Sequence, residues 1–231
     1  MHMRNAMHDV TGGTGPHAGR PIAATGAPAA AANAALVLVH GRGGDAADML
    51  GLAELVAPPG TLCLAPQAAG NTWYPRRFNE PAACNEPHLS SALSVLDDLV
   101  DRLVRDGFAA DRIALLGFSQ GACLALEFAR RRGQRLGAVI GLSGGLIGEA
   151  VAPPPPGAGP LGGMPVLLGC SERDPHIPLG RVRETEAVLR ALGAEVTARI
   201  YPGGGHGINE DELGFARRLL ARVVGAAPSA A

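Results

Sequence analysis

The sequence predicts an α/β fold in which helices cover both faces of a mostly parallel central sheet. Three observations carry that expectation: recurring short apolar runs, longer stretches of helical spacing between them, and a Gly-x-Ser-x-Gly pentapeptide where one run meets one helix. A continuous apolar run bounded by turn residues reads as a strand buried on both faces. Parallel neighbours in turn require crossover connections, here helices.

The first core run, Ala35-Leu36-Val37-Leu38-Val39-His40, stops at Gly41 and precedes helical spacing from Asp45 to Val56. The second, 61–66, is followed by an irregular segment and then by helical spacing from Leu89 to Asp106. The third, 112–117, leads directly into Ser119 to Arg132. After the fourth, 137–142, comes a segment at 148–164 with Pro153 to Pro156 and five glycines, which excludes helix or inner strand and reads as an excursion. The fifth, 165–170, precedes Leu179 to Leu192, and the sixth, 196–201, precedes Asp211 to Val224. Residues 1–18 are expected to be a flexible tail without chemistry, 19–225 a single domain and 226–231 a flexible C-terminus. Ligands of such sheets bind at the carboxyl ends of the strands, so the chemistry belongs in the loop after each run.

With 231 residues and 47 % hydrophobic composition, the chain can bury one sizeable core. Its 20 basic and 21 acidic residues are mixed along the sequence and leave a net charge of −1. No basic stripe marks a nucleic-acid partner, and a small-molecule substrate is the natural one. Cys63, Cys84, Cys123 and Cys170 are widely spaced without a Cys-x-x-Cys and read as reduced thiols. The N-terminus lacks the apolar core of a secretory signal, and no run is long enough to span a bilayer. The expectation is a cytoplasmic protein without stable membrane insertion.

Gly117-Phe118-Ser119-Gln120-Gly121 sits between a strand and a helix, where a sharp turn forces its central residue out toward a substrate. Ser119 is therefore the candidate nucleophile. A base and an acid should come after it in the order acid, then histidine. Asp174, in a loop stiffened by Pro175 and Pro178, and His206, in the glycine-rich loop Pro202 to Gly207, occupy those places. His176, two residues past Asp174, is expected to point elsewhere, and His40 to support the loop next to it. The oxyanion hole needs two backbone N–H donors, assigned to Gln120 and to Arg42 in His40-Gly41-Arg42-Gly43-Gly44. No pair of His or Cys has metal-ligand spacing, so neither a metal nor a cofactor is expected.

Residues 67–88 gather Trp73, Tyr74 and Phe78 in a chain that is 3 % aromatic. All three are expected to contact substrate from a loop over the site, with a packing cluster under a long loop as the other reading. Apolar surface exposed there would serve a homodimer equally well.

With His40-Gly41-Arg42-Gly43-Gly44, the pentapeptide at 117–121, Asp174-Pro175-His176-Ile177-Pro178 and Gly205-His206 in this order, the chain resembles the carboxylesterase/phospholipase family of small α/β-hydrolases, which includes acyl-protein thioesterases. The resemblance covers about residues 20–224. It implies the α/β-hydrolase fold, Ser119, Asp174 and His206 as catalytic triad, and Arg42 and Gln120 as oxyanion donors. Arg42 stands where the thioesterase branch usually has an apolar residue, and Trp73-Tyr74-Pro75 looks more like the bacterial esterase branch. Esters of short or medium acyl chain are thus the expected substrates. The alternatives are a thioesterase or lysophospholipase, and a non-catalytic binding protein on the same scaffold. A dienelactone-hydrolase-like ring opener is disfavoured because that branch usually has Cys where this chain has Ser119, and Cys123 reads as packed core.

Overall fold

A computed structural model describes residues 8–9, 14–151 and 160–225. Residues 152–159 of the expected excursion at 148–164, the C-terminal segment 226–231 and much of the expected N-terminal tail therefore lie outside the described residues. Eight strands form one sheet in the order β1-β2-β4-β3-β5-β6-β7-β8. They are β1 (His8–Asp9), β2 (Pro21–Gly26), β3 (Ala34–Val39), β4 (Thr61–Pro66), β5 (Ile113–Phe118), β6 (Ala138–Leu142), β7 (Pro165–Arg173) and β8 (Glu195–Gly204). Neighbours from β4 to β8 run parallel, while β2 joins β4, and β1 joins β2, antiparallel.

The crossovers are α1 (Ala46–Val56), α2 (His88–Arg105), α3 (Gln120–Arg132) and α4 (Leu179–Ala191), and α5 (Glu210–Gly225) comes after β8. Local chemistry sets their ends. The Asp45 carboxylate accepts the Asp48 N–H at 2.9 Å and caps α1. Asn209 and Glu212 cap α5 reciprocally, with Glu212 N donating to Asn209 Oδ1 and Asn209 N to Glu212 Oε2. α3 stops where Gly133 takes a left-handed conformation (φ 58°) behind three arginines.

Alternation along β3 shows how the sheet divides the core. Ala35, Val37 and Val39 face one side with residues of α2, α3 and α4, whereas Ala34, Leu36 and Leu38 face the other with residues of α1 and α5. Every residue of β3 and β4 is buried, as the unbroken apolar runs require. A fully buried aliphatic side chain contributes about 2 kcal/mol.

Three expectations change. β2 has no counterpart in the pattern reading because Pro-Ile-Ala-Ala-Thr-Gly is short and alanine-rich, and only Ile22 and Ala24 are buried. His17, placed in the flexible tail, is fully buried and tied to Trp73, Ala69 and Ser91. The apolar surface expected near 67–88 is not exposed, since Trp73, Tyr74 and Phe78 are buried and the large hydrophobics exposed among the described residues are Leu55 and Val104. No described helix is long and apolar enough to cross a membrane.

Candidate active site

Every candidate group lies just past the carboxyl end of a strand: Gly41 and Arg42 after β3, Ser119 after β5, Asp174 after β7 and His206 after β8. Ser119 has φ 55° and ψ −119°, a conformation that L-residues with a side chain rarely adopt. The turn is tight because strand and helix touch through glycine. A Cβ on Gly117 would stand 2.2 Å from Gly121 O, and one on Gly121 would stand 2.1 Å from Val39 O.

The pairing of β7 and β8 continues past the sheet proper, with an irregular register between Ser171 and Arg173 that ends with Arg173 opposite Gly204. Asp174 and His206 are thereby delivered side by side. His206 Nδ1 lies 2.8 Å from Asp174 Oδ2, and His206 Nε2 lies 2.7 Å from Ser119 Oγ. Asp174 Oδ1 accepts the N–H groups of His176 and Ile177 at 2.8 and 3.0 Å. Burial works to raise the Asp174 carboxyl, but the hydrogen bonds from His206, His176 and Ile177 outweigh it and hold its pKa below the ordinary 3.8. An ionised carboxylate on Nδ1 fixes the tautomer with Nδ1–H, leaving Nε2 free to accept the serine proton.

His176 does not point away as expected. Its ring meets His206 edge-to-face at 4.7 Å, while Phe118 lies against the same imidazole at 5.1 Å. The two rings brace His206.

The loop carrying Arg42 is pressed against the nucleophile, since a Cβ on Gly41 would contact Ser119 Cβ at 3.4 Å. Within its turn, Gly43 N donates to Asn71 O and Gly44 N to Gly41 O. Among the described residues the Arg42 N–H has no bonded acceptor, and Gln120, as first residue of α3, has an amide without an intrahelical acceptor. A substrate oxyanion is the group such a pair of free donors fits.

Both candidate oxyanion residues also make side-chain contacts that sequence reading missed. The Arg42 guanidinium donates to the carbonyls of Tyr74, Pro75 and Arg76 at 2.9, 3.1 and 2.7 Å. The buried Gln120 amide accepts from Trp73 N and donates to Tyr74 O, each at 2.8 Å. Together they pin residues 73–76, so that Tyr74 and Phe78 wall a cavity of about 550 Å³ that also contains Ser119 and His206. Trp73 differs from expectation. It is fully buried and does not line that cavity; its indole N–H donates to His40 O at 2.9 Å, so it props the Gly41–Arg42 loop from behind.

Two buried histidines complete that support. His40 Nδ1 bonds Gly41 O at 2.7 Å and its Nε2 accepts Ala68 N at 3.1 Å, the supporting role expected of it. His17 Nε2 bonds Trp73 O at 2.8 Å and its Nδ1 accepts Ala69 N at 3.0 Å. Each ring is thus a neutral tautomer with one donor and one acceptor nitrogen, both occupied. Burial lowers both pKa values, opposed by the bonds to Trp73 O and Gly41 O. His88 and Arg20 push His17 the same way as burial, while Asp45 and Asp48 partly offset the effect on His40. A lowered folded pKa means that the unfolded chain takes up protons first as pH falls below 6.5. The stability from these rings is complete above that value and is lost as pH drops through the lowered folded values. Thermal melts should therefore show Tm falling on acidification from neutrality before carboxylates titrate, and His17→Gln should make that decline shallower. An equal slope in both proteins would remove His17 from this role.

Cys63, Cys123 and Cys170 are buried, with burial pushing each thiol up to about 12, and Cys84 is exposed. Cys123 lines the cavity but at that pKa is no substitute nucleophile. Among the described residues no group of three His, Cys, Asp or Glu could hold a metal ion.

Sheet order, elbow and the Ser–His–Asp chain at the strand ends define an α/β-hydrolase. The chain belongs to the phospholipase/carboxylesterase family, whose model matches residues 20–224. A solved phospholipase/carboxylesterase from Dyadobacter fermentans is 35% identical with a TM-score of 0.83, covering 91% of this chain and 100% of its own. Lysophospholipase-like protein 1 of Mus musculus is 34% identical over 148 residues, 62% of this chain and 60% of its own. Acyl-protein thioesterase 1 of Gibberella zeae is 31% identical over 121 residues, 50% of each chain. The chain spans about half to three fifths of the length of these curated relatives. The fold and family expected from the sequence both hold.

Proposed function

We propose that the protein is a serine hydrolase that cleaves carboxylic esters of short or medium acyl chain through an acyl-enzyme. The observation that carries this reading is the continuous hydrogen-bonded chain from Ser119 Oγ through His206 to Asp174. Ser119 Oγ bonds to the ester carbonyl carbon while its proton passes to His206 Nε2. The carbonyl oxygen becomes an oxyanion held by the N–H groups of Arg42 and Gln120, each worth about 3 kcal/mol in comparable sites. The carbon–oxygen bond to the alcohol then breaks and His206 returns the proton to the leaving alcohol. Water adds to the acyl-enzyme, gives its proton to His206, and the carboxylic acid departs as Ser119 is reprotonated. Asp174 stays ionised throughout and stabilises the imidazolium, and no cofactor takes part.

The cavity of about 550 Å³ offers an acyl chain an apolar wall, formed by the buried side chains of Tyr74, Phe78, Cys123 and Ile177. Four unpaired thiols are in keeping with a cytoplasmic location. The names of the curated relatives favour a second reading, a thioesterase or lysophospholipase. A fluorophosphonate should add covalently to Ser119, located by peptide mass spectrometry, and p-nitrophenyl ester turnover should peak at short to medium chains. A peak at palmitate would favour the second reading. Absence of both labelling and turnover would leave a non-catalytic binding protein.

A further inference from the structure

The mouth of the catalytic cavity is lined by Arg42, Arg76 and Arg77, with Glu80 the one carboxylate among the lining side chains. Arg42 directs its guanidinium at carbonyls, which leaves its charge uncancelled. Arg76 and Arg77 are exposed, and neither guanidinium has a hydrogen-bond, ion-pair or ring partner among the described residues. Glu80 accepts Arg77 N at 3.2 Å and offsets one of the three positive charges. The main chain beneath both arginines is nevertheless fixed. Fully buried Asn85 accepts Arg76 N at 2.8 Å and donates to Arg77 O at 3.2 Å, and Arg42 holds Arg76 O from the other side. A chain of net charge −1 thus places three arginines against one glutamate among the residues that line this cavity. Free guanidiniums on a fixed backbone beside the candidate nucleophile are suited to bind a carboxylate or phosphate.

We propose that Arg76 and Arg77 form an anion subsite, so that the substrate is an ester carrying a second, anionic group, a carboxylate or phosphate, away from the scissile bond. The proposal rests on the esterase reading and narrows it. A charge-assisted pair of this kind should favour an anionic over a neutral ester by roughly ten- to a hundredfold in kcat/KM. Partly exposed charges are screened, so the preference should shrink in high salt.

The test compares mono-4-nitrophenyl glutarate with 4-nitrophenyl butyrate, and 4-acetoxybenzoate with phenyl acetate, placing the anion on the acyl or the alcohol side. In the wild-type protein one anionic ester should exceed its neutral counterpart, with the ratio falling in salt. The ratio should collapse toward one in R76S/R77S and recover in part in R76K/R77K. Glutarate and phenyl phosphate, as inhibitors of butyrate-ester turnover, distinguish carboxylate from phosphate, and inhibition by neither overturns the proposal. So does a salt-insensitive ratio near one in the wild-type protein while the neutral esters are still hydrolysed, a result that leaves the esterase reading standing. Failure to turn over any ester, together with no fluorophosphonate adduct, overturns both.

Discussion

Ser119→Ala should lower kcat for p-nitrophenyl butyrate on the order of 10⁶-fold while leaving the melting temperature essentially unchanged. The hydroxyl makes one side-chain bond, to His206 Nε2 at 2.7 Å, and alanine tolerates φ 55° no worse than serine. Removing it deletes the proposed nucleophile without opening a cavity. Asp174→Asn should cost about 10⁴-fold by a different route. The asparagine carbonyl can still accept the His176 and Ile177 N–H groups, but its NH₂ then faces His206 Nδ1. That forces the proton onto Nε2, where it donates to Ser119 Oγ and the base is lost. Because the groups act as one unit, the double variant should be no slower than Ser119→Ala alone. Multiplicative losses in the double variant, or an active Ser119→Ala protein, would show that the hydrogen-bonded chain is not the reaction centre.

Legibility in the sequence divides along contact range. Ser119, Asp174 and His206 were legible because each sits in a local pattern, a glycine-flanked serine or a loop directly after an apolar run, and the sheet fixes where such loops converge. β3 to β7 were legible for the same reason, since a buried parallel strand writes its environment into consecutive residues, whereas β8 lies at the sheet edge with Val196 its one buried residue. The support behind the site has no local signature. His17 reaches Trp73 across 56 positions and Ser91 across 74, so in sequence it is a histidine in a glycine-rich stretch. Trp73 could be read as a substrate platform or as packing, because aromatic composition does not say which side of a loop a ring occupies. The side chains of Arg42 and Gln120 escaped notice because their backbone N–H groups already explained their place in the motifs. β7 and β8 also run beyond their apolar stretches, to Arg173 and Gly204, because the extension is held by backbone pairing that hydropathy does not report.

Gly121→Ala should be among the most damaging single changes to the fold and should disable both halves of the site together. The added Cβ would lie 2.1 Å from Val39 O and 2.5 Å from His40 O, well inside contact distance, and both obstacles are backbone that cannot rotate away. Relief requires α3 to move from the end of β3 by about 1 Å or more, a repacking that costs about 3 kcal/mol or more, or roughly 10 °C in Tm. The damage to activity should exceed what lost stability explains. Gly121 stands two residues after Ser119, and the strand end it touches leads into Gly41 and Arg42, so separating them pulls the proposed nucleophile away from one proposed oxyanion donor. A misplacement of about 1 Å at a reacting centre costs on the order of 10²-fold. Gly51→Ala supplies the control. Gly51 lies within α1 with nothing near its vacant Cβ position, and alanine there should stabilise by about 0.5–1 kcal/mol through helix propensity alone. Thermal melts of the two variants should shift in opposite directions, while p-nitrophenyl butyrate turnover should fall in Gly121→Ala alone. Equal Tm and kcat for Gly121→Ala and wild type would mean that strand and helix do not meet through glycine, and the geometry that exposes Ser119 would then need another cause.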